Sequence, residues 1–244
     1  MEKMKKQALL LLLCMVCSAV VAFAQEVKHI EVNVGDFTTL SVENNINVVY
    51  CADDKKAGMA EFDAPQSVAD MFIFKNNKKG KLSIQLTDYN FTSGVPTVVV
   101  YSRMLQMVVN QSDSTITIKN NLVMPKFTAK TSYNGVVNIR GLKATTAVLE
   151  VATGKGRINA DGEVENLRCK FAGTGQIRAL ELKAKDINCS MGGSGHIYCN
   201  STGGKLHLKG VGSGKVHYIG TPSEIKVKQL GTLKALPFDG TFAP

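Results

Sequence analysis

The stretch GGSGHIYCNSTGGKLHLKGVGSGKVHYIG, residues 192–220, decides the fold, because Gly-Ser-Gly occurs in it twice, at 193–195 and 212–214. Such a triplet is either a loop that cradles a ligand or a corner in a repeating scaffold, and its surroundings choose between the two. The device recurs upstream as Gly173-Thr174-Gly175 and Gly154-Lys155-Gly156, the first glycines standing 19, 20 and 19 residues apart. Gly135 and Gly231 extend the series by 19 at either end. After each pair comes an alternating run: Ile158-Asn159-Ala160, Ile177-Arg178-Ala179, Ile197-Tyr198-Cys199, Val216-His217-Tyr218. Before each pair stands another: Leu149-x-Val151, Leu167-x-Cys169-x-Phe171, Ile187-x-Cys189-x-Met191, Leu206-x-Leu208, with Ile225-x-Val227 after the last. Period two is the strand signature.

Each repeat therefore supplies two short strands and a glycine corner. Helical solenoids need repeats of about 33 residues or more. A unit of 19–20 residues suits an all-β parallel β-solenoid, a β-helix whose coils stack at about 4.8 Å. The spacing predicts interior ladders of Leu149, Leu167, Ile187, Leu206 and Ile225, and of Ile139, Ile158, Ile177, Ile197 and Val216. Gly141, Ala160, Ala179 and Cys199 form a third, of small residues. One coil cannot bury such a surface, whereas several stacked coils can.

Residues 25–104 read as a less regular β-rich region and residues 105–244 as the solenoid repeats, and one continuous domain over 35–235 fits the pattern equally well. Strands are expected at Ile46–Tyr50, Met71–Phe74, Leu82–Leu86 and Thr97–Tyr101, with a helical turn at Ala64–Asp70 that has Pro65 in its first position. The chain opens with Lys3, Lys5 and Lys6, an apolar run from Ala8 to Val21 and Ala22-Phe23-Ala24. That is the layout of a cleaved signal peptide over residues 1–24, with an apolar core too short for a comfortable membrane span. Cys14 and Cys17 lack the small preceding residue of a lipoprotein site. The expectation is an exported protein, in the periplasm, at the outer membrane or outside the cell, with no transmembrane segment once the leader is removed.

With no tryptophan, 22 glycines and 20% charged residues, the chain reads as turn-rich and globular. Residues 25–134 hold 11 basic and 11 acidic side chains, residues 135–244 hold 15 and 8, so the basic surplus belongs to the repeats. A surplus of that kind attracts anionic surfaces and polymers. Of the mature cysteines, Cys169, Cys189 and Cys199 occupy inward or small-residue positions and Cys51 lies upstream. No Cys-x-x-Cys occurs, which excludes a zinc ribbon or a thioredoxin-like motif. A bridge between Cys169 and Cys189 would strain disulfide geometry.

The glycine pairs fail as ligand loops. A dinucleotide or P-loop site needs a helix start after the glycines, and here a strand follows. Calcium needs six to eight oxygens, yet where Gly-Gly-x-Gly-x-Asp has its acid this chain has Ile158, Ile177, Ile197 and Val216. Asp161, Glu163 and Glu165 cluster in one loop with no basic partner in register, and nothing marks them as an acid–base pair. His29, His196, His207 and His217 show no zinc-binding convergence, and no Ser-His-Asp or Cys-His context is present. No cofactor, metal or catalytic residue is expected.

The outward positions are more informative. Arg157, Gln176, His196, Lys215 and Lys234 form one ladder; Arg140, Asn159, Arg178, Tyr198 and His217 form its neighbour. The expected ligand face is Arg157, Arg178, His196, Tyr198, Lys215, His217 and Lys234, with an anionic glycan or another cell-envelope component as partner. Nucleic acid is not expected, since the chain is exported and aromatic interleaving is thin. Asp113-Ser114-Thr115 matches an O-glycosylation triplet used by some Gram-negative bacteria.

The segments ATGKGRINADG, AGTGQIRALEL, GGSGHIYC and GVGSGKVHYIGTP, closing on Tyr218-x-Gly220-x-Pro222, together with LSVENNINVVY and KLSIQL upstream, resemble the family of putative auto-transporter adhesins, head GIN domain, over residues 35–235. The resemblance implies a right-handed β-helix in a Gram-negative cell envelope and carries no catalytic residues. Where the family has Gly-Ser-Gly-Asp, this chain places Lys, His, Gln or Arg. No barrel-sized segment precedes the end at Phe242-Ala243-Pro244, so self-translocation is not expected. The reading is a non-enzymatic, adhesin-like binding module of the envelope. The alternatives are a polysaccharide-active β-helix enzyme and a purely structural envelope component.

Overall fold

Alternation of apolar and polar residues is realised as strands along most of the described chain. The computed structural model describes residues 26–91, 93–119 and 123–243; the signal-peptide reading of residues 1–24 lies outside them. In the first half the strands are β1 (Lys28–Asn33), β2 (Thr39–Val42), β3 (Val48–Ala52), β4 (Met59–Ala64), β5 (Phe72–Asn76), β6 (Lys81–Leu86), β7 (Val98–Ser102), β8 (Met107–Asn110) and β9 (Thr115–Lys119). A single-turn helix α1 (Gln66–Ala69) joins β4 to β5, with Pro65 at its N-cap in extended conformation rather than inside the helix. The repeats contribute β10 (Val123–Thr131), β11 (Val136–Val151), β12 (Arg157–Phe171), β13 (Gln176–Gly193), β14 (His196–Ser201), β15 (Lys205–Gly212), β16 (Lys215–Ile219), β17 (Glu224–Gly231) and β18 (Lys234–Pro237). They wind into a β-solenoid of about 6 turns.

Two long parallel ladders run through the stack. The first passes from β6 through β2, β8 and β10 to the second halves of β11, β12 and β13, then to β15 and β17. The second passes from β7 through β3 and β9 to the first halves of β11, β12 and β13, then to β14, β16 and β18. Ile158, Ile177, Ile197 and Val216 stack in register and are buried, as the period predicts. At β11 the expected register is off by two. Val137, not Ile139, stacks on Ile158, and Ala147, not Leu149, stacks on Leu167. Ladder irregularities between Ile139 and Leu142, Asn159 and Asp161, and Ala179 and Lys183 are where the coils bend and take up extra residues.

The glycine pairs hold the corners, for a reason more specific than chain flexibility. The ladder of backbone hydrogen bonds continues through them: Thr174 N–H donates to Gly154 O, Gln176 to Gly156 O, Ser194 to Gly173 O and His196 to Gly175 O. Coils meet so closely here that a Cβ on Gly175 would be driven into the Gly156 carbonyl, although Gly175 does not have a positive φ. Gly154 needs glycine twice over, with φ at +73° and the Tyr133 carbonyl against the would-be Cβ.

The first half of the chain enters this stack out of order. β2 lies between β6 and β8, and β3 between β7 and β9, so a coil made early is enclosed by coils made later. Antiparallel strands end the stack at this side, β1 and β4 beyond β7 and β5 beyond β6. Phe62, Phe72 and Phe74 close the gap between them, with the first two ring centroids 4.6 Å apart. One hydrophobic core runs from Val34 to Leu233, unbroken across residue 104. Among the described residues the far end has no such cover. Ile225 and Val227 are 42% and 41% exposed, whereas Leu206 and Leu208, one coil inward, are 0% and 1%. Lys226 and Lys228 on that edge strand oppose pairing with another strand.

The thiols of Cys169 and Cys189 are ladder neighbours and, like those of Cys51 and Cys199, are free. A hydrogen bond to Cys169, followed by burial, pushes the Cys189 thiol well up, and burial does the same to Cys199. A thiol reagent at pH 8 is therefore expected to leave Cys169, Cys189 and Cys199 unmodified until denaturant is added. Labelling of these residues in the native state, at the rate of a free thiol, would contradict the packing.

Candidate functional site

The parallel register brings all seven expected face residues onto the outer side of the second ladder. Arg157, Gln176, His196, Lys215 and Lys234 stack in one row, and Arg178, Tyr198, His217 and Leu236 in the next. This face is not an open comb. After Phe238, whose N–H donates to Tyr218 O, the last residues turn back across it. Ala243 N–H donates to the Tyr198 hydroxyl at 2.7 Å, and the Gln176 side-chain amide donates to Ala243 O at 2.8 Å. The Arg178 guanidinium lies 4.4 Å from the Phe242 ring centroid. Tyr198 is thereby fully buried although its strand position faces outward. Lys215 and Lys234 stay exposed, while Arg157 and Arg178 are half-buried.

Beneath the tail, three rings stack: His217 on Tyr198 at 4.8 Å, and His196 on His217 at 5.3 Å. The imidazoles share one hydrogen bond, Nδ1 of His196 to Nε2 of His217, at 3.1 Å. Burial and then the Lys215 ammonium hold His196 below the usual imidazole range; burial and then His196 do so for His217. Burial, followed by Arg157, lowers Arg178. Arg157 Nε is buried with no hydrogen-bond partner among the described residues.

The acidic loop departs from its expected isolation. Arg140 Nη1 donates to Asp161 Oδ2 at 2.9 Å across one coil, and Glu163 stands in register between Lys143 and Lys183. These carboxylates are matched by cations, which the 19-residue spacing concealed because the register slips at β11. Among the described residues no three His, Cys, Asp or Glu side chains converge as a metal site. In the Asp113-Ser114-Thr115 triplet, Ser114 Oγ is buried 2.7 Å from Ser112 Oγ and is not presented to solvent.

The open basic surface is on the first ladder. Outward from β12, β13, β15 and β17 stand Arg168, Asn188, His207 and Lys226 in one row, and Lys170, Ser190, Lys209 and Lys228 beside it. Arg168, Lys170, Lys209, Lys226 and Lys228 are all exposed. Glu150 at the start of the second row contacts Lys130 at 3.0 Å and Lys170 at 3.9 Å. Glu224 at the far end holds Lys226 at 2.5 Å and lies 3.5 Å from His207. Two hollows break this surface, about 550 Å³ beside Lys170 and Met191 and about 250 Å³ beside His207 and Lys228. Sequence reasoning missed these cations; they alternate with Leu167, Cys169, Leu206 and Leu208, so the period that marks the core was the signal for them.

Three solved structures share the architecture. A protein from Bacteroides fragilis described as a putative adhesin superposes with a TM-score of 0.77 at 16% identity, covering 88% of this chain and 98% of that one. A putative adhesin from Parabacteroides merdae gives 0.67 at 17% identity, covering 88% and 98%. A Parabacteroides distasonis protein described as a putative lipid binding protein gives 0.65 at 19%, covering 87% and 97%. At these identities the likeness is one of fold. Comparison with curated proteins finds no match. Among the described residues no helix is long and apolar enough to cross a membrane. The model of the family "Putative auto-transporter adhesin, head GIN domain" matches residues 36–222, and the chain belongs to that family.

Proposed function

We propose that the protein is an exported, non-enzymatic binding module of the cell envelope, adhesin-like, which holds an anionic glycan on the flat outer face of its first ladder. The observation that carries this reading is the pair of adjacent, in-register rows bearing Arg168, Lys170, Lys209, Lys226 and Lys228, uncovered by any other segment among the described residues. Coils stacked about 4.8 Å apart set the members of each row at a spacing that a sulfated or carboxylated chain can follow from coil to coil. Arg168 offers a planar fork for bidentate contact, the lysines mobile point charges. Long-range attraction to such a face raises the rate of encounter as well as affinity. The expected face of the second ladder contributes Lys215 and Lys234 at a different side of the coil.

Binding to dextran sulfate, with neutral dextran as control, tests the reading. Affinity is expected to fall at least about tenfold between 50 and 300 mM NaCl, because the screening length shortens over that range. Binding to neutral dextran of equal strength, or no dependence on salt, would rule out an electrostatic face. Vesicles containing anionic lipid form a second arm, and selective capture by vesicles would move the partner from glycan to membrane surface.

A further inference from the structure

The groove beneath the C-terminal tail is built as a binding site. Both backbone polar groups of Ala243 are met by side chains, the Tyr198 hydroxyl and the Gln176 amide. Gln176 is itself fixed by Arg178, whose Nε donates to Gln176 Oε1 at 2.7 Å. Phe238 and Phe242 clasp Tyr198 edge-on, at 5.6 and 4.8 Å, and Phe242 also covers the Arg178 guanidinium. Between the two rings, Asp239, Gly240 and Thr241 are exposed, and Thr241 N–H donates locally, to Asp239 Oδ1 at 2.9 Å. A cavity of about 400 Å³ continues past Phe242 between Arg140, Asn159, Asp161 and Glu181.

We propose that this groove is a recognition site for a short extended peptide carrying two aromatic residues four positions apart, separated by a three-residue exposed turn, and that Phe238–Ala243 is its resident ligand, held in cis and exchangeable. The site lies on the second ladder and is independent of the glycan face proposed above. Its grip requires that at least one of the two imidazoles be neutral, since the hydrogen bond between His196 and His217 needs one ring as acceptor and two imidazolium rings at that distance repel. Lys215 adds to the repulsion and Asp239 alone opposes it. Both rings titrate below their ordinary range, so the grip is complete above pH 6.5 and is lost as pH falls beneath it.

The test supplies the peptide of residues 238–244 in trans to a chain ending at Pro237, with a full-length Phe238→Ala/Phe242→Ala variant as a second host. Both hosts are expected to keep the far-UV spectrum and cooperative melting of the parent and to bind the peptide saturably at pH 7.5, read by isothermal calorimetry. Binding should weaken at least tenfold at pH 5, and at least tenfold when the peptide lacks its second phenylalanine or the host carries Arg178→Ala. The unmodified chain, its groove filled, should bind at least tenfold more weakly than either host. A folded host that takes up no peptide would overturn the proposal, and so would unfolding of both hosts, which would make the tail a structural cap rather than a ligand.

Discussion

Replacing Gly175 with valine is expected to destabilise the protein by at least about 3 kcal/mol, read as a fall in the midpoint of urea unfolding. The side chain has nowhere to go. Its Cβ would be driven into the carbonyl of Gly156 on the preceding coil, which accepts the Gln176 N–H at 3.0 Å. The corner could relieve the clash only by parting the two coils, which would open the backbone ladder on either side and the contact between Ile158 and Ile177 beneath it. In a solenoid each coil is stabilised by its neighbours, so a break between two coils is not repaired by the rest of the stack. Gly203, by contrast, has open space around its would-be Cβ but a φ of +74°. Alanine there is expected to cost only the backbone strain, about 1 kcal/mol. Equal losses at the two positions would show that chain flexibility, not close stacking, is what the glycines supply.

Reversing three charges on the open face, Lys170→Glu, Lys209→Glu and Lys228→Glu together, is expected to weaken binding to dextran sulfate at least about thirtyfold at 100 mM salt. The three side chains stand in one in-register row with Ser190 between the first two, so the substitution turns an attractive strip into a repulsive one. All three are exposed, and among the described residues Lys209 and Lys228 form no ion pair, so the fold should tolerate the change. Lys170 surrenders only a 3.9 Å contact to Glu150, which retains Lys130. An unchanged melting temperature with lost binding separates a surface effect from misfolding. Retained binding would remove this face from the account.

What the sequence revealed, and what it hid, follows from the range of the interactions concerned. Glycine corners and alternation are local, so the repeats from Gly154 onward and the buried row from Ile158 to Val216 could be read directly. The slip at β11 could not, because a bulge changes the count without changing the pattern: Ile139 and Val137 both look inward, and only the hydrogen-bond ladder shows which meets Ile158. The enclosure of β2 and β3 between later strands leaves no local trace, since pairing partners 40 to 70 residues away do not alter a strand's own alternation. The structure places Arg157, Arg178, His196, Tyr198, Lys215, His217 and Lys234 on one side of the coil, and the segment that covers them lies outside the repeat, where no period marks it. Phe238 and Phe242, two aromatic residues outside the repeat, are the available signal. The row of Lys170, Lys209 and Lys228 obeys the same alternation but lies away from the glycine corners, which are the strongest local signal.

Lysine acetylation footprinting with and without dextran sulfate tests the central claim most directly, because it reports on both faces in one experiment. Lys170, Lys209, Lys226 and Lys228 are expected to be protected by the polymer, while Lys215 and Lys234 on the other ladder react at their unbound rates. Protection of Lys215 and Lys234 with undiminished reaction at Lys170, Lys209, Lys226 and Lys228 would contradict it.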